Sequence, residues 1–275
     1  VEVLLVVQSG GQQAASIATI DVLNVAPTVA VESVIDETGA EVGVDVPVAL
    51  VGLNLEIEFV YSDSVVLDTH TALVDWGDGT QTDLGAIAGG SGSTTHAFML
   101  PGDHEIAVVV TDDDGGIGEA IRAVRVVDPA GAVGSVVEAL DALPPDLHID
   151  AALDKLRGDN NGADANGAVD LLHKEIGNAA LNKLSQAVAL LEEAEENDPS
   201  LDLADLEALL ALVAKAVAVD AVNDAANVAS KPSEFGKVAD AQGLILQGDA
   251  ALAGTKYVPA IDLYQEAVRK VTSIG

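Results

Sequence analysis

The sequence predicts two unlike halves, an antiparallel β-sandwich followed by an all-α helical bundle. Three observations carry this. Residues 1–130 are rich in Val, Thr and Gly, with short runs such as VPVALVG and EIAVVVT set between Gly/Asp turns, the pattern of a sandwich. Residues 134–275 are rich in Ala, Leu, Glu and Lys, and Leu181, Leu184, Ala187, Val188 and Leu191 fall on one helical face. Charge divides the same way. Residues 1–130 carry two basic side chains, Arg122 and Arg125, against 21 acidic ones, and no lysine; residues 131–275 carry 10 against 24. The expected units are residues 1–25, 26–128, a Pro/Gly-rich linker at 129–135, and the helical bundle at 136–275.

Residues 2–22, EVLLVVQSGGQQAASIATIDV, repeat the pattern of residues 105–127, EIAVVVTDDDGGIGEAIRAVRVV. Each has an acidic residue, an apolar run, a polar turn ending in Gly-Gly, and a second run; a proline follows each, Pro27 and Pro129. Residues 1–25 therefore read as the last hairpin of a preceding sandwich repeat, with NVAPT, residues 24–28, as the joint. A lone hairpin is marginal in water, so it is expected to pack on another domain or a neighbouring molecule.

Next comes VDWGDGTQTD, residues 74–83, which holds the only tryptophan. Asp75 and Asp78 can accept backbone N–H bonds, and Gly77 and Gly79 permit turns that a Cβ obstructs. A catalytic carboxylate pair must face one substrate across a cleft, which two aspartates in one tight turn do not do. The stretch reads as a structural turn. With THAFMLPGDHEIAVVVTDDDGG, residues 95–116, it resembles the PKD (polycystic kidney disease) domains of bacterial and archaeal surface proteins. The matching positions are Trp76-Gly77-Asp78-Gly79, His96-Ala97-Phe98, Gly102 and the final VTDDDGG, and the resemblance spans residues 26–128. Departures are the polar loop AIAGGSGS and Phe98, where the family often has Tyr. The resemblance implies a seven-stranded immunoglobulin-like sandwich, used as a spacer or adhesive module, with Trp76 in the core.

The candidates for cation binding are acidic loops. Asp112, Asp113 and Asp114 sit in one turn, where like charges repel unless solvent or a cation relieves them. Calcium takes six to eight oxygens, carboxylates among them. Asp63 and Asp68 flank a second loop. The expected cofactor is Ca2+ at one or both loops; a solvated acidic turn is the plainer alternative. RGDNNGADANGAVD, residues 157–170, fails the EF-hand register, since Ala163 and Ala168 stand where ligands are needed, and reads as a polar connection. His70, His96, His104, His148 and His173 show no metal-ligand spacing. No GxSxG, HExxH or P-loop is present, and the expectation is a protein that is not an enzyme.

In the second half, a helix is expected from near Val133, a second in PPDLHIDAALDKLRG, one or two in residues 167–197, a long buried helix in residues 201–230, and a final pair. ENDPSLD and SKPSEFG read as connecting loops. Gly248, Gly254, Tyr257, Ala260, Tyr264 and Ala267 resemble half of a tetratricopeptide-like helix pair, small residues allowing close approach and tyrosines filling the gap. The acidic run at residues 192–196 reads as a solvated face.

The net charge of −33 excludes nucleic acid as a partner and disfavours anionic membrane surfaces. Lys215 interrupts the longest apolar stretch, near residues 209–219, and no membrane span is expected. With no cysteine there is no disulfide or thiol chemistry. The only methionine is Met99, and a mature or excised fragment is expected. Together these readings imply the end of a large extracellular, cell-surface or secreted protein with a structural or adhesive role. Its expected partners are copies of itself, adjacent domains of a longer chain, or a matrix protein or polysaccharide. Calcium would stiffen it, and self-assembly into filaments is one form the role could take. The competing reading is a protein- or glycan-binding accessory module of an exoenzyme, against which the seven Trp, Tyr and Phe residues of the whole chain offer few surfaces for sugar stacking.

Overall fold

A computed structural model describes residues 2–19, 23–45, 48–64, 68–158, 166–175 and 177–274. Among these residues, ten strands precede seven helices. The strands are β1 (Glu2–Ser9), β2 (Gln12–Thr19), β3 (Thr28–Ile35), β4 (Ala49–Leu50), β5 (Asn54–Ser62), β6 (His70–Asp75), β7 (Gln81–Ile87), β8 (Ser91–Ala97), β9 (Gly102–Asp112) and β10 (Ile117–Val127). The helices are α1 (Pro129–Asp141), α2 (Leu147–Arg157), α3 (Ala168–His173), α4 (Gly177–Asn197), α5 (Ala204–Val228), α6 (Pro232–Ala253) and α7 (Tyr257–Val271).

Strands β3 to β10 form a β-sheet domain of two sheets. One has the order β4-β10-β9-β6-β7, with β4 parallel to β10; the other is β3-β5-β8. Alternation makes the core. Ile106, Val108 and Val110 of β9 point inward, opposite Leu55, Ile57 and Phe59 of β5, and these residues share one cluster with Val34, Val74, Val124 and Val126. Because side chains alternate with period 2, a one-residue slip would expose this set.

Trp76 closes one end of that core, fully buried. Its Nε1 donates to Thr82 Oγ1 at 2.9 Å, so its polar atom is satisfied. A ladder of rings follows: His96 stacks on Trp76 at 4.7 Å, Phe98 meets His96 edge-on at 4.8 Å, and His104 stacks on Phe98 at 4.6 Å. The turn is built as its residues predict. Asp75 Oδ1 accepts from Gly77 N and Asp78 Oδ1 from Thr80 N, both at 2.9 Å. Gly77 has φ 73°, and a Cβ there would lie 2.6 Å from the Glu105 carbonyl oxygen.

β1 and β2 form a separate two-stranded sheet with Glu2 opposite Thr19 and Ser9 opposite Gln12. Every residue of both strands is exposed.

The helical region differs from expectation at its start. The first helix begins at Pro129, not near Val133, so the stretch expected as a linker is helix. The reason is local: Asp128 caps the helix by accepting from Gly131 N at 2.7 Å, and proline suits the first helical position. Likewise α6 starts at Pro232 inside SKPSEFG. Residues 167–197 divide into α3 and α4. The central part of the 157–170 connection, residues 159–165, lies outside the described residues. Helix α5 is buried almost all round between Ala208 and Ala214, and packs on α1, α4, α6 and α7. The α6–α7 pair has the anticipated close approach: a Cβ on Gly248 would meet the Tyr264 ring at 2.4 Å. Among the described residues, no helix is long and apolar enough to cross a membrane.

The two halves share packing. Val48, Leu50 and Leu53, from the β4 region, belong to the helical core rather than to the sheet core. Beside them Lys215 of α5 is paired with Glu37 and, at 2.9 Å, with Asp249 of α6; Asp249 also accepts from the Tyr264 hydroxyl at 2.8 Å.

Candidate metal centre

The two acidic loops converge on one site. Asp63 follows β5, Asp68 precedes β6, and Asp112 ends β9. The register that places His70 opposite Asp112 brings the three together, with one carboxylate oxygen from each lying within 4.8 Å of the others. Two candidates stand outside this set. Asp113 Oδ1 accepts from Thr69 N at 3.1 Å, and Asp114 contributes only its charge and a backbone N–H to the Asp112 carboxylate. What reads in the sequence as two loops is thus one three-carboxylate cluster.

Each carboxylate has a distinct environment. Asp112 is buried, and Asn24 Nδ2 donates to both of its oxygens at 3.0 and 2.9 Å. Gly116 N and Asp114 N also donate to its Oδ1, at 2.7 and 3.1 Å. Burial would raise the Asp112 pKa, but these hydrogen bonds outweigh it and hold the group below its ordinary value. Asp63 Oδ2 lies 3.1 Å from His70 Nε2, both side chains nearly closed to solvent. Asp68 behaves oppositely. Burial first, then the charges of Asp113, Asp63, Asp114 and Asp112, raise its pKa. Its Oδ2 is closed to solvent and lacks a hydrogen-bond partner among the described residues. A buried carboxylate oxygen without a donor, facing two other carboxylates, is what a cation satisfies best.

The donor set is all oxygen, which suits a hard cation such as Ca2+. Asp63, Asp68 and Asp112 would hold it, with further oxygens from solvent or backbone.

The cluster lies where the N-terminal hairpin joins the β-sheet domain. Asn24 ties that joint to Asp112. A Cβ on Gly116 would strike Asn24 Nδ2 at 2.7 Å and Ala26 Cα at 2.9 Å; one on Gly118 would strike the Pro27 carbonyl oxygen at 2.1 Å. Glycine at both positions lets the joint lie flat against the acidic turn.

A second acidic group has no counterpart in the expected site residues. Glu207, at the start of α5, is 2% exposed, and its Oε1 is unpartnered among the described residues. Burial, then Glu195 and Glu192, push its pKa up to about 8. The acidic run at 192–196 is thus not wholly a solvated face. Glu195 Oε1 accepts from Leu203 N at 2.5 Å, and burial raises Glu192. The signal available in the sequence was Glu207 directly before the apolar run of residues 208–214.

His96 Nε2 lies 2.8 Å from Asp78 Oδ2, where it braces the Trp76 turn. His70 and His96 face different carboxylates, Asp63 and Asp78, and His96 Nε2 also lies 3.4 Å from Thr80 Oγ1.

Comparison with family models and with curated proteins gives no match. Among solved structures the chain is similar in part to several β-sheet modules. The PKD domain of an M14-like peptidase from a Thermoplasmatales archaeon is 18% identical, with 37% of this chain and 92% of that one covered and a TM-score of 0.28. The PKD1 domain of Vibrio anguillarum Epp is 20% identical, covering 39% and 100%, with a TM-score of 0.27. The fibronectin(III)-like modules of Clostridium thermocellum CbhA are 24% identical, covering 46% and 60%, also with a TM-score of 0.27.

Proposed function

We propose that this chain is a non-catalytic structural module of an extracellular protein, in which a calcium ion bridges the acidic loops and stiffens the joint between successive domains. The carrying observation is the convergence of Asp63, Asp68 and Asp112 beside Asn24, with Asp68 Oδ2 unpartnered among the described residues. Three carboxylates this close repel one another, and a divalent cation turns the repulsion into attraction. Because Asn24 reaches the same cluster, ordering the carboxylates would also order the chain entering the domain. The WGDGT turn and the VTDDDGG end support an immunoglobulin-like sandwich of the PKD type, and the small-residue packing of α6 on α7 supports a helical bundle with a tetratricopeptide-like pair. Spacing, adhesion or matrix assembly is the role such a series of domains would serve.

Calcium titration of the purified chain tests this by thermal unfolding and by proteolysis at residues 20–27. Calcium at about ten times a millimolar-range Kd, the affinity typical of extracellular modules, is expected to raise Tm by a few degrees and to slow cleavage at the joint. Asp68→Asn should remove both effects. An unchanged Tm and unchanged cleavage between calcium and chelator would sink the reading.

A further inference from the structure

The exposed hairpin is the least explained surface of the molecule. Its strand β1 presents five consecutive apolar residues, Val3 to Val7, each at least 40% exposed. Glu2 is its only charge, in a chain of net charge −33. A two-stranded sheet with an apolar first strand, a single charge and nothing on either face among the described residues does not hold its form in water.

The same molecule displays what covers such a hairpin. In β9 and β10, Ile106, Val108 and Val110 face inward and pair with Arg122, Ala120 and Gly118. In β1 and β2, Val3, Leu5 and Val7 occupy the matching places and pair with Ala18, Ser16 and Ala14. Both hairpins thus combine branched apolar residues on the first strand with mostly small ones opposite. In the complete domain, β6 pairs with the free edge of β9, and the β3-β5-β8 sheet covers the inward face. β1 has the same free edge and the same apolar face. A second copy of this chain cannot supply these partners, because its own β9–β10 hairpin already fills the place.

We infer that the β1–β2 hairpin is the closing hairpin of a β-sheet module that precedes it in the same polypeptide, one built like residues 26–127. A strand of that module equivalent to β6 pairs with β1, and its three-stranded sheet seats on Val3, Leu5 and Val7. The two modules then meet at residues 23–27, where Asn24 grips Asp112. The inference rests on reading the chain as one of a series of domains, but not on calcium.

The test is a tandem chain in which a copy of residues 26–101, the module without its own last hairpin, precedes residues 1–275. Hydrogen exchange is followed in calcium and in chelator. The expected result is that amides of residues 2–19 become about 100-fold slower to exchange than in residues 1–275 alone, and that the added tryptophan becomes buried. Leu5→Asp, on the inward face, abolishes the protection, whereas Leu4→Asp, on the opposite face, leaves it. Unprotected amides and an unfolded added segment, beside an intact native module, overturn the inference. So does concentration-dependent self-association of residues 1–275 that Leu5→Asp abolishes, since a second copy would then be the partner. Protection of residues 2–19 that appears in chelator as in calcium upholds the inference whatever the calcium titration of the joint shows, so the two remain separable.

Discussion

Single residues set the sharpest constraints where backbone geometry leaves no alternative. Gly77 combines a left-handed φ with a close approach to the Glu105 carbonyl, whereas Gly79, at φ 91°, faces open space. Gly79→Ala should therefore cost about 1 kcal/mol and Gly77→Ala upwards of about 2 kcal/mol, a ranking that urea denaturation will check. Asp78 gives a pH signature. Burial works to raise its pKa, but hydrogen bonds from Thr80 and His96 prevail and hold it at about 2. A depressed carboxylate contributes stability above its unfolded pKa, near 4, and that contribution is lost as pH falls towards 2. Because the side chain is partly solvated, about 1 kcal/mol is expected. Asp78→Asn should flatten the pH 4 to 2 limb of the stability curve, and acid titration followed by tryptophan fluorescence measures it. The turn itself is legible in the sequence because its closing bonds, Asp75 to Gly77 and Asp78 to Thr80, span two residues; the approaches of Glu105 and His96 come from strands farther along the chain. The pairing of Lys215 with Glu37 is not legible either, because the two are brought together only by the docking of the halves.

Helices show the same contrast between local and distant causes. The period of α4 and the apolar length of α5 are explicit in the residue order. The burial of Glu207 is not, since it depends on α4 laying Glu192 and Glu195 beside it. The group's pKa is raised from 4.5 to about 8, so folding takes up a proton between those values. Stability should fall as pH rises from about 5 through 8, the opposite direction to Asp78. Glu207→Gln should remove this slope and make the protein more stable than the parent at pH 9 by about 2 kcal/mol or more; chemical denaturation at pH 5, 7 and 9 is the check. In the last pair, Gly248→Ala should cost about 1–3 kcal/mol by driving a methyl into the Tyr264 ring.

At the scale of the whole molecule, the two halves meet through one shared contact. Val48, Leu50 and Leu53 join the helical core, and Lys215 lies between Glu37 and Asp249 with a side chain only 13% exposed. Burial would lower the Lys215 pKa, but its bonds to Glu37 and Asp249 reverse this and raise it. Removing the cation leaves two carboxylates facing each other. Lys215→Met should lose about 3 kcal/mol; in calorimetry the parent is expected to unfold in one cooperative transition and the variant in two. A single transition of unchanged midpoint would show that the apolar contact alone couples the halves.

The order of residues determined the β half, the α half, the WGDGT turn and the likeness between the two hairpins, because each depends on a period or a spacing within one short segment. It missed the helix start at Pro129 because Gly and Pro in that stretch read as a break, while the Asp128 cap turns them into a beginning. Tertiary structure alone decided that Asp63, Asp68 and Asp112 meet, that Asp113 and Asp114 do not join them, and that Lys215 bridges two halves. Those results depend on strand pairing and docking between segments far apart in the chain, and no local pattern encodes them.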